Sequence, residues 1–249
     1  MLRVILLLFL WGLGVLVPIV LKAESHNNLW LRGTLTYVQS EKLRIETEFQ
    51  HRRQNGIGNR NLLDKTLLYS YRNWIRYRHN KTVHFSVSPF AYFANYRVIR
   101  KLPDVDAEPR KEIRFSAAID LQHEILKNLY ISNRNFVEYR LFTHGEQDIV
   151  RYRNRIGFRY DVGKKIKLSI YDEILLNVTG VAKEHLFDHN RAGIHLEYSI
   201  LPNFKMDIGY MHISRLPLNN MDMLTENNFV FNFTYEIFRP KKRSKTSAT

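Results

Sequence analysis

The chain has 249 residues, no cysteine, and a net charge of +14 from 38 Lys+Arg against 24 Asp+Glu. The absence of cysteine excludes a disulfide framework and a thiolate metal centre. So large a positive balance favours a polyanionic partner, but the N-terminus points away from nucleic acid.

After Arg3 comes VILLLFLWGLGVLVPIVL, uncharged and mostly apolar, then Lys22-Ala23-Glu24-Ser25. A basic start, an apolar run and a small residue at its end describe a secretory signal peptide over residues 1–23, cleaved after Ala23. The run is also long enough to serve as an uncleaved anchor. Either way the chain leaves the cytoplasm, which removes nucleic acid as a partner. At the other end RPKKRSKTSAT, residues 239–249, is polar, basic and aperiodic, and reads as a disordered tail. Without the five cations of that tail and Arg3 and Lys22 of the leader, the excess falls to +7.

Between these ends apolar residues recur at every second position. Leu43, Ile45 and Phe49 alternate with Arg44, Glu46, Glu48, Gln50 and Arg52. Leu67, Tyr69, Tyr71, Ile75 and Tyr77 alternate with Ser70, Arg72, Trp74, Arg76 and Arg78. Ile113, Phe115, Ala117, Ile119 and Leu121 alternate with Arg114, Ser116, Asp120, Gln122 and Glu124. RYRNRIGFRYDVG, residues 151–163, puts Arg151, Arg153, Arg155 and Arg159 on one face. Tyr152, Ile156, Phe158, Tyr160 and Val162 fall on the other, with Asn154 its one polar exception. Ala192, Ile194, Leu196, Tyr198 and Ile200 repeat the pattern, as do Phe229, Phe231, Phe233, Tyr235 and Ile237. Period two means strands with unlike faces. The windows exceed the usual ~5–6 residues and suit tilted strands that cross a bilayer in about 9–11 residues.

Short turns near 39–41, 79–81, 127–128, 163–165 and 201–203 alternate with longer links at 53–63, 98–110, 144–148, 179–186 and 214–226. Tight turns on one side and larger loops on the other mark an outer-membrane barrel. The fold class is therefore all-β: an antiparallel transmembrane β-barrel over residues 24–238. Eleven strand-like windows are countable. Bacterial single-chain barrels take even numbers, and eleven would leave the first strand starting outside, so the expectation is ten to twelve strands, with twelve favoured.

The segment FDHNRAGIHLEYSILPNFKMDIGYMH (187–212) resembles the C-terminal hairpin of the domain-of-unknown-function family numbered 2490. RYRNRIGFRY (151–160), YDEILLN (171–177) and NNFVFNFTYEIF (227–238) add to the resemblance. These are outer-membrane barrels found mainly in Bacteroidetes and other Gram-negative bacteria. The resemblance implies a signal peptide and a barrel, and no established activity.

Catalytic candidates are sparse. His195 and Ser199 share one strand face but stand about 13 Å apart, too far for a nucleophile and its base. Ser169, His212, Asp172, Glu173 and Asp188 have no partner assignable from sequence. His144 and Asp148 fall on a link. Asp188 and His189 are adjacent, so regular strand geometry turns them to opposite sides and weakens them as a metal pair. The glycines lack phosphate-cradling spacing, so no cofactor is expected. The strong constellation is charged and points inward: Arg72, Arg76, Arg134, Arg140, Arg153, Arg155, Arg159 and Arg191 with Glu46, Glu48, Glu124, Glu138, Glu173 and Glu197. It supports a structural or narrow-channel barrel with a basic lumen, embedded in outer-membrane lipid, with an anionic small solute as the candidate partner. The alternatives are a lipid-acting barrel hydrolase and a secreted basic β protein that binds polyanions.

Overall fold

A computed structural model of the chain describes residues 25–143, 145–218 and 222–240. The signal peptide, its cleavage site, His144 and most of the basic tail lie outside the described residues. Eleven strands occur among those described: β1 (Ser25–Val38), β2 (Leu43–Gln54), β3 (Lys65–Arg78), β4 (Val83–Asn95), β5 (Arg110–Leu126), β6 (Leu129–Phe142), β7 (Ile149–Val162), β8 (Ile166–Thr179), β9 (Phe187–Leu201), β10 (Phe204–Arg215) and β11 (Leu224–Phe238). Each pairs with its sequence neighbours and the sheet closes on itself.

The connections fall where the sequence puts them. Residues 39–42, 79–82, 127–128, 163–165 and 202–203 are tight, and 55–64, 96–109, 143–148, 180–186 and 216–223 are longer. The first two tight turns share a build. Ser40 Oγ accepts from the Lys42 and Leu43 amides, and Asn80 Oδ1 from those of Thr82 and Val83. The two-residue turn between β5 and β6 holds Asn128 at φ 65°, a left-handed conformation that asparagine tolerates.

The barrel is one strand short of the favoured twelve, because β1 and β11 close it in parallel. They run in register from Ser25↔Thr225 to Val38↔Phe238. The parity rule assumes an antiparallel seam, and a parallel seam satisfies the edge hydrogen bonds as well. Identical residues face each other across it at Asn27↔Asn227, Asn28↔Asn228 and Thr34↔Thr234. Asn28 Nδ2 donates to Asn228 Oδ1 (3.1 Å) and Glu226 Oε2 (2.9 Å), and Asn227 Nδ2 donates to Asn27 Oδ1 (3.3 Å). A slip of one residue would turn Asn28 outward and break this set. β1 therefore starts at the long-loop rim and β11 ends at the short-turn rim.

Outside the barrel, large apolar side chains stay exposed all the way round, among them Leu35, Phe49, Val87, Val137, Ile156 and Phe229. A closed sheet with such an exterior is solvated by lipid. Tyr37, Tyr77 and Tyr235 sit near the short-turn rim, and Tyr69, Tyr139 and Tyr210 toward the other, where amphipathic rings meet headgroups. Asn154 is not alone on this face. Its amide and those of Asn133 and Asn135 hydrogen-bond one another at 2.7–3.4 Å, and Tyr152 Oη donates to Asn135 Oδ1. Asn190 Nδ2 donates to both oxygens of the neighbouring outward Asp172. Satisfying these groups among themselves lowers the cost of holding them at membrane depth.

Candidate functional site: the charged lumen

Alternate residues of every strand point into the barrel, and their register decides which charges meet. Glu138 on β6 lies opposite Arg151 on β7 and Ser116 on β5. Arg151 donates to it through Nε (2.9 Å) and Nη2 (2.5 Å). Arg114 and Arg153 reach the same carboxylate diagonally, at 3.6 and 3.4 Å. Arg72 arrives from β3 over the small Ala91, at 3.1 Å. One carboxylate, fully buried at 0 % exposure, thus serves four guanidinium groups. Glu173 on β8 is shared by Arg153 (2.7 Å), Arg155 (3.0 Å) and Arg191 (3.6 Å). Glu112 on β5 takes Arg114 (2.5 Å) and Arg140 (2.7 Å). Buried carboxylates survive only when paired and hydrogen-bonded in this way.

Aromatic rings fill the spaces between the forks. Arg114 lies 3.7 Å from the Phe93 centroid, and Arg153 4.5 Å from that of Phe136. Trp74, Ala118 and Phe136 form a buried cluster inside the barrel, and Leu68, Ala91 and Phe93 a second. A third joins Trp30, Met211, Ile213 and Val230. The lumen is therefore packed rather than empty, as expected of a small barrel with long inner side chains.

Of the predicted lumen residues, Arg72, Glu138, Arg140, Arg153, Arg155, Glu173 and Arg191 belong to this dense network. Glu46 pairs with Arg76 at 2.7 Å, and Glu48 faces Arg72 across β2 and β3. Arg134 meets Asp120 at 3.5 Å, Arg159 donates to Asp161 and Gln122, and Glu197 accepts from Lys167. Apart from the mid-strand Glu48–Arg72 pair, these contacts lie toward the short turns. Glu124 stands apart: it is exposed, and its carboxylate accepts the Asn128 amide of the adjoining turn. Glu112, Asp188, Glu226, Arg52, Arg114 and Arg215 escaped the sequence selection. Arg114 and Arg52 carried the signal, being inward in clear alternating windows. Glu112, Arg215 and Glu226 sit at strand ends, where alternation fades into the links.

Asp188 and His189 overturn the expectation of opposite directions. A register shift at Leu175/Leu176 bulges the β8–β9 pairing, and both side chains are buried. Asp188 binds Arg151 at 2.5 Å, and His189 Nδ1 lies 3.2 Å from the same carboxylate. Among the described residues no group of three or more His, Asp or Glu could hold a metal ion. Ser169 faces His195 in the β8–β9 register. The imidazole, however, lies against Gly209 on the far side and bonds Asp207 at 2.8 Å. The residues of a nucleophile, base and orienting acid thus share one patch, with no hydrogen bond from Ser169 to the ring.

A closed sheet with an apolar exterior and a charged, packed interior defines a transmembrane β-barrel of the outer-membrane type. The chain belongs to the family described as "Protein of unknown function (DUF2490)", whose model matches residues 27–222. Among solved structures it is similar to the NanC porin, at 9% identity and TM-score 0.48, over 84% of this chain and 99% of that one. It is also similar to OmpT, an outer membrane protein of Vibrio cholerae, at 8% identity and TM-score 0.38, over 76% of this chain and 56% of that one. No curated protein sequence matches.

Proposed function

We propose that the protein is a constricted outer-membrane barrel whose lumen prefers small anions, exported by the leader at residues 1–23. The observation behind this reading is the sharing of carboxylates. Glu138 serves four arginines and Glu173 three, so the dense layer keeps a surplus of guanidinium charge. Fixed positive charge in a low-dielectric bore draws anions and repels cations. Packing by Trp74, Phe136 and the arginines keeps the passage narrow. The test is planar-bilayer recording of purified protein in a salt gradient. Small conductance with a reversal potential on the anion side is expected. Large, cation-selective conductance would refute both parts, and complete silence would leave a structural barrel without a channel. The hydrolase alternative has its own observation, the Asp207–His195 pair opposite Ser169, and is tested by ester hydrolysis that depends on Ser169.

A further inference from the structure

Most arginines of the lumen have a carboxylate close by. Near the long-loop end Arg52 and Arg191 are short of one, and Arg215 beside them shares its own with Asn28. Arg52 makes no ion pair among the described residues. Its guanidinium donates to Gln50 and lies 3.3 Å from the centroid of the Trp30 ring. Arg191 reaches only Glu173, at 3.6 Å, a carboxylate already engaged by Arg153 and Arg155. It lies 5.8 Å from the same indole centroid. Arg215 pairs with Glu226 at 3.1 Å, and the other oxygen of that carboxylate accepts from Asn28.

The Nε–H groups of Arg52 and Arg191 and the Nε1–H of Trp30 are all enclosed and make no hydrogen bond, whereas the Nε of Arg215 already faces Glu226 Oε1 at 3.1 Å. Three enclosed donors without acceptors, around mutually repelling charges, are unfavourable unless an acceptor joins them. The place is also reachable. Arg52 is half-buried, and the Arg215 side chain is 32% exposed. Met211, Ile213 and Val230 pack with Trp30 as an apolar wall. Guanidinium forks beside an indole and an apolar wall suit the oxyanion of an organic solute, since the fork matches carboxylate and phosphate geometry.

We propose that Arg52, Arg191, Arg215 and Trp30 form an oxyanion-binding site that takes the carboxylate or phosphate of a small water-soluble solute. The site rests on the anion-preferring reading of the lumen and specifies where that preference resides. Binding can be read without conduction, so the two can fail separately.

The experiment titrates full-length protein in neutral detergent with acetate and with inorganic phosphate, at constant ionic strength, while following tryptophan emission. A saturable change is expected, absent in Trp30→Phe. In Arg52→Gln and Arg191→Gln the affinity should fall about tenfold or more, the cost of losing a charged hydrogen bond. Arg52→Lys, which keeps the charge but loses the fork, should fall between. Lys127→Gln, in a short turn, should bind as the wild type does. Folding of each variant is checked by the mobility of the unboiled protein on SDS gels. A response to acetate but not phosphate, or the reverse, assigns the solute's oxyanion and supports the site. A non-saturable response, or equal affinity in folded Arg52→Gln and Arg191→Gln, overturns it. Saturable binding in a protein silent in bilayers would keep the site and remove the channel.

Discussion

The two halves of the lumen are built from the same residue types and behave differently. Toward the long loops the inner side chains of β5 and β8 are dry: Glu112, Arg114, Ser116 and Ala118 are buried on β5, as are Leu175 and Glu173 on β8, while Arg52 on β2 and Arg215 on β10 stay partly exposed. Toward the short turns of the same strands, Asp120, Gln122 and Glu124, and Tyr171, Ser169 and Lys167, progressively meet water. In the dry half one carboxylate is shared by several guanidinium groups across three or four strands. In the wet half charges meet mainly in pairs, as Glu46 meets Arg76 and Lys167 meets Glu197. A salt bridge in water contributes little, whereas a buried charge stripped of its partner is costly. The same arginine-rich alternation therefore makes a buried, carboxylate-sharing layer in one half and a solvated, pairwise one in the other.

The largest test of that contrast is Glu138→Gln. It removes the charge that Arg72, Arg114, Arg151 and Arg153 share, in a place water does not reach. A loss of about 3–5 kcal/mol is expected, typical of breaking a buried ion pair from one side. Denaturant unfolding from lipid vesicles measures it. A loss under about 1 kcal/mol, the range of exposed pairs, would mean that the long-loop half is hydrated too.

The next test turns from the ends of the lumen to its wall. Ile156 is 48% exposed on the outer surface, while its neighbour Arg155 points inward onto Glu173. Ile156→Arg places a charge in lipid and should cost about 2–4 kcal/mol near the midplane. Arg155→Gln should cost less, because Glu173 keeps Arg153 and Arg191. Folding into vesicles, read by unboiled gel mobility, ranks the two. The reverse order would exchange the inner and outer faces.

Both substitutions are chosen from features legible in the sequence, and the difference between legible and hidden is physical. Alternation is local, so the inner face of Arg151, Arg153 and Arg155 and nearly every link could be read directly. Register is not local. That Arg72 on β3 meets Glu138 on β6 depends on three intervening pairings and on the smallness of Ala91, none of which period two encodes. The β8–β9 bulge that turns Asp188 and His189 the same way is likewise invisible, because it shifts the pairing while leaving the apolar pattern nearly intact. The parallel seam hid for another reason. Eleven windows are countable, but the even number expected of an antiparallel barrel points away from eleven. The matched Asn-Asn pairs at 27–28 and 227–228 were the available signal for in-register parallel pairing.

The smallest expected effect lies in the wet half and is the sharpest check on the contrast. Lys167 and Glu197 face each other across β8 and β9 at 2.6 Å, a shorter contact than most in the dry network. Distance alone would make it strong. Their side chains are 35% and 32% exposed, however, so water and ions screen the pair. A double-mutant cycle with Lys167→Gln and Glu197→Gln should give a coupling of about 0.2–1 kcal/mol. Most of it should vanish at 1 M salt, where the screening length falls to roughly 3 Å. A coupling above about 2 kcal/mol that ignores salt would place this pair in the same dry environment as Glu138. Burial would then no longer separate the two halves of the lumen, and the short-turn half would count as a second dry layer.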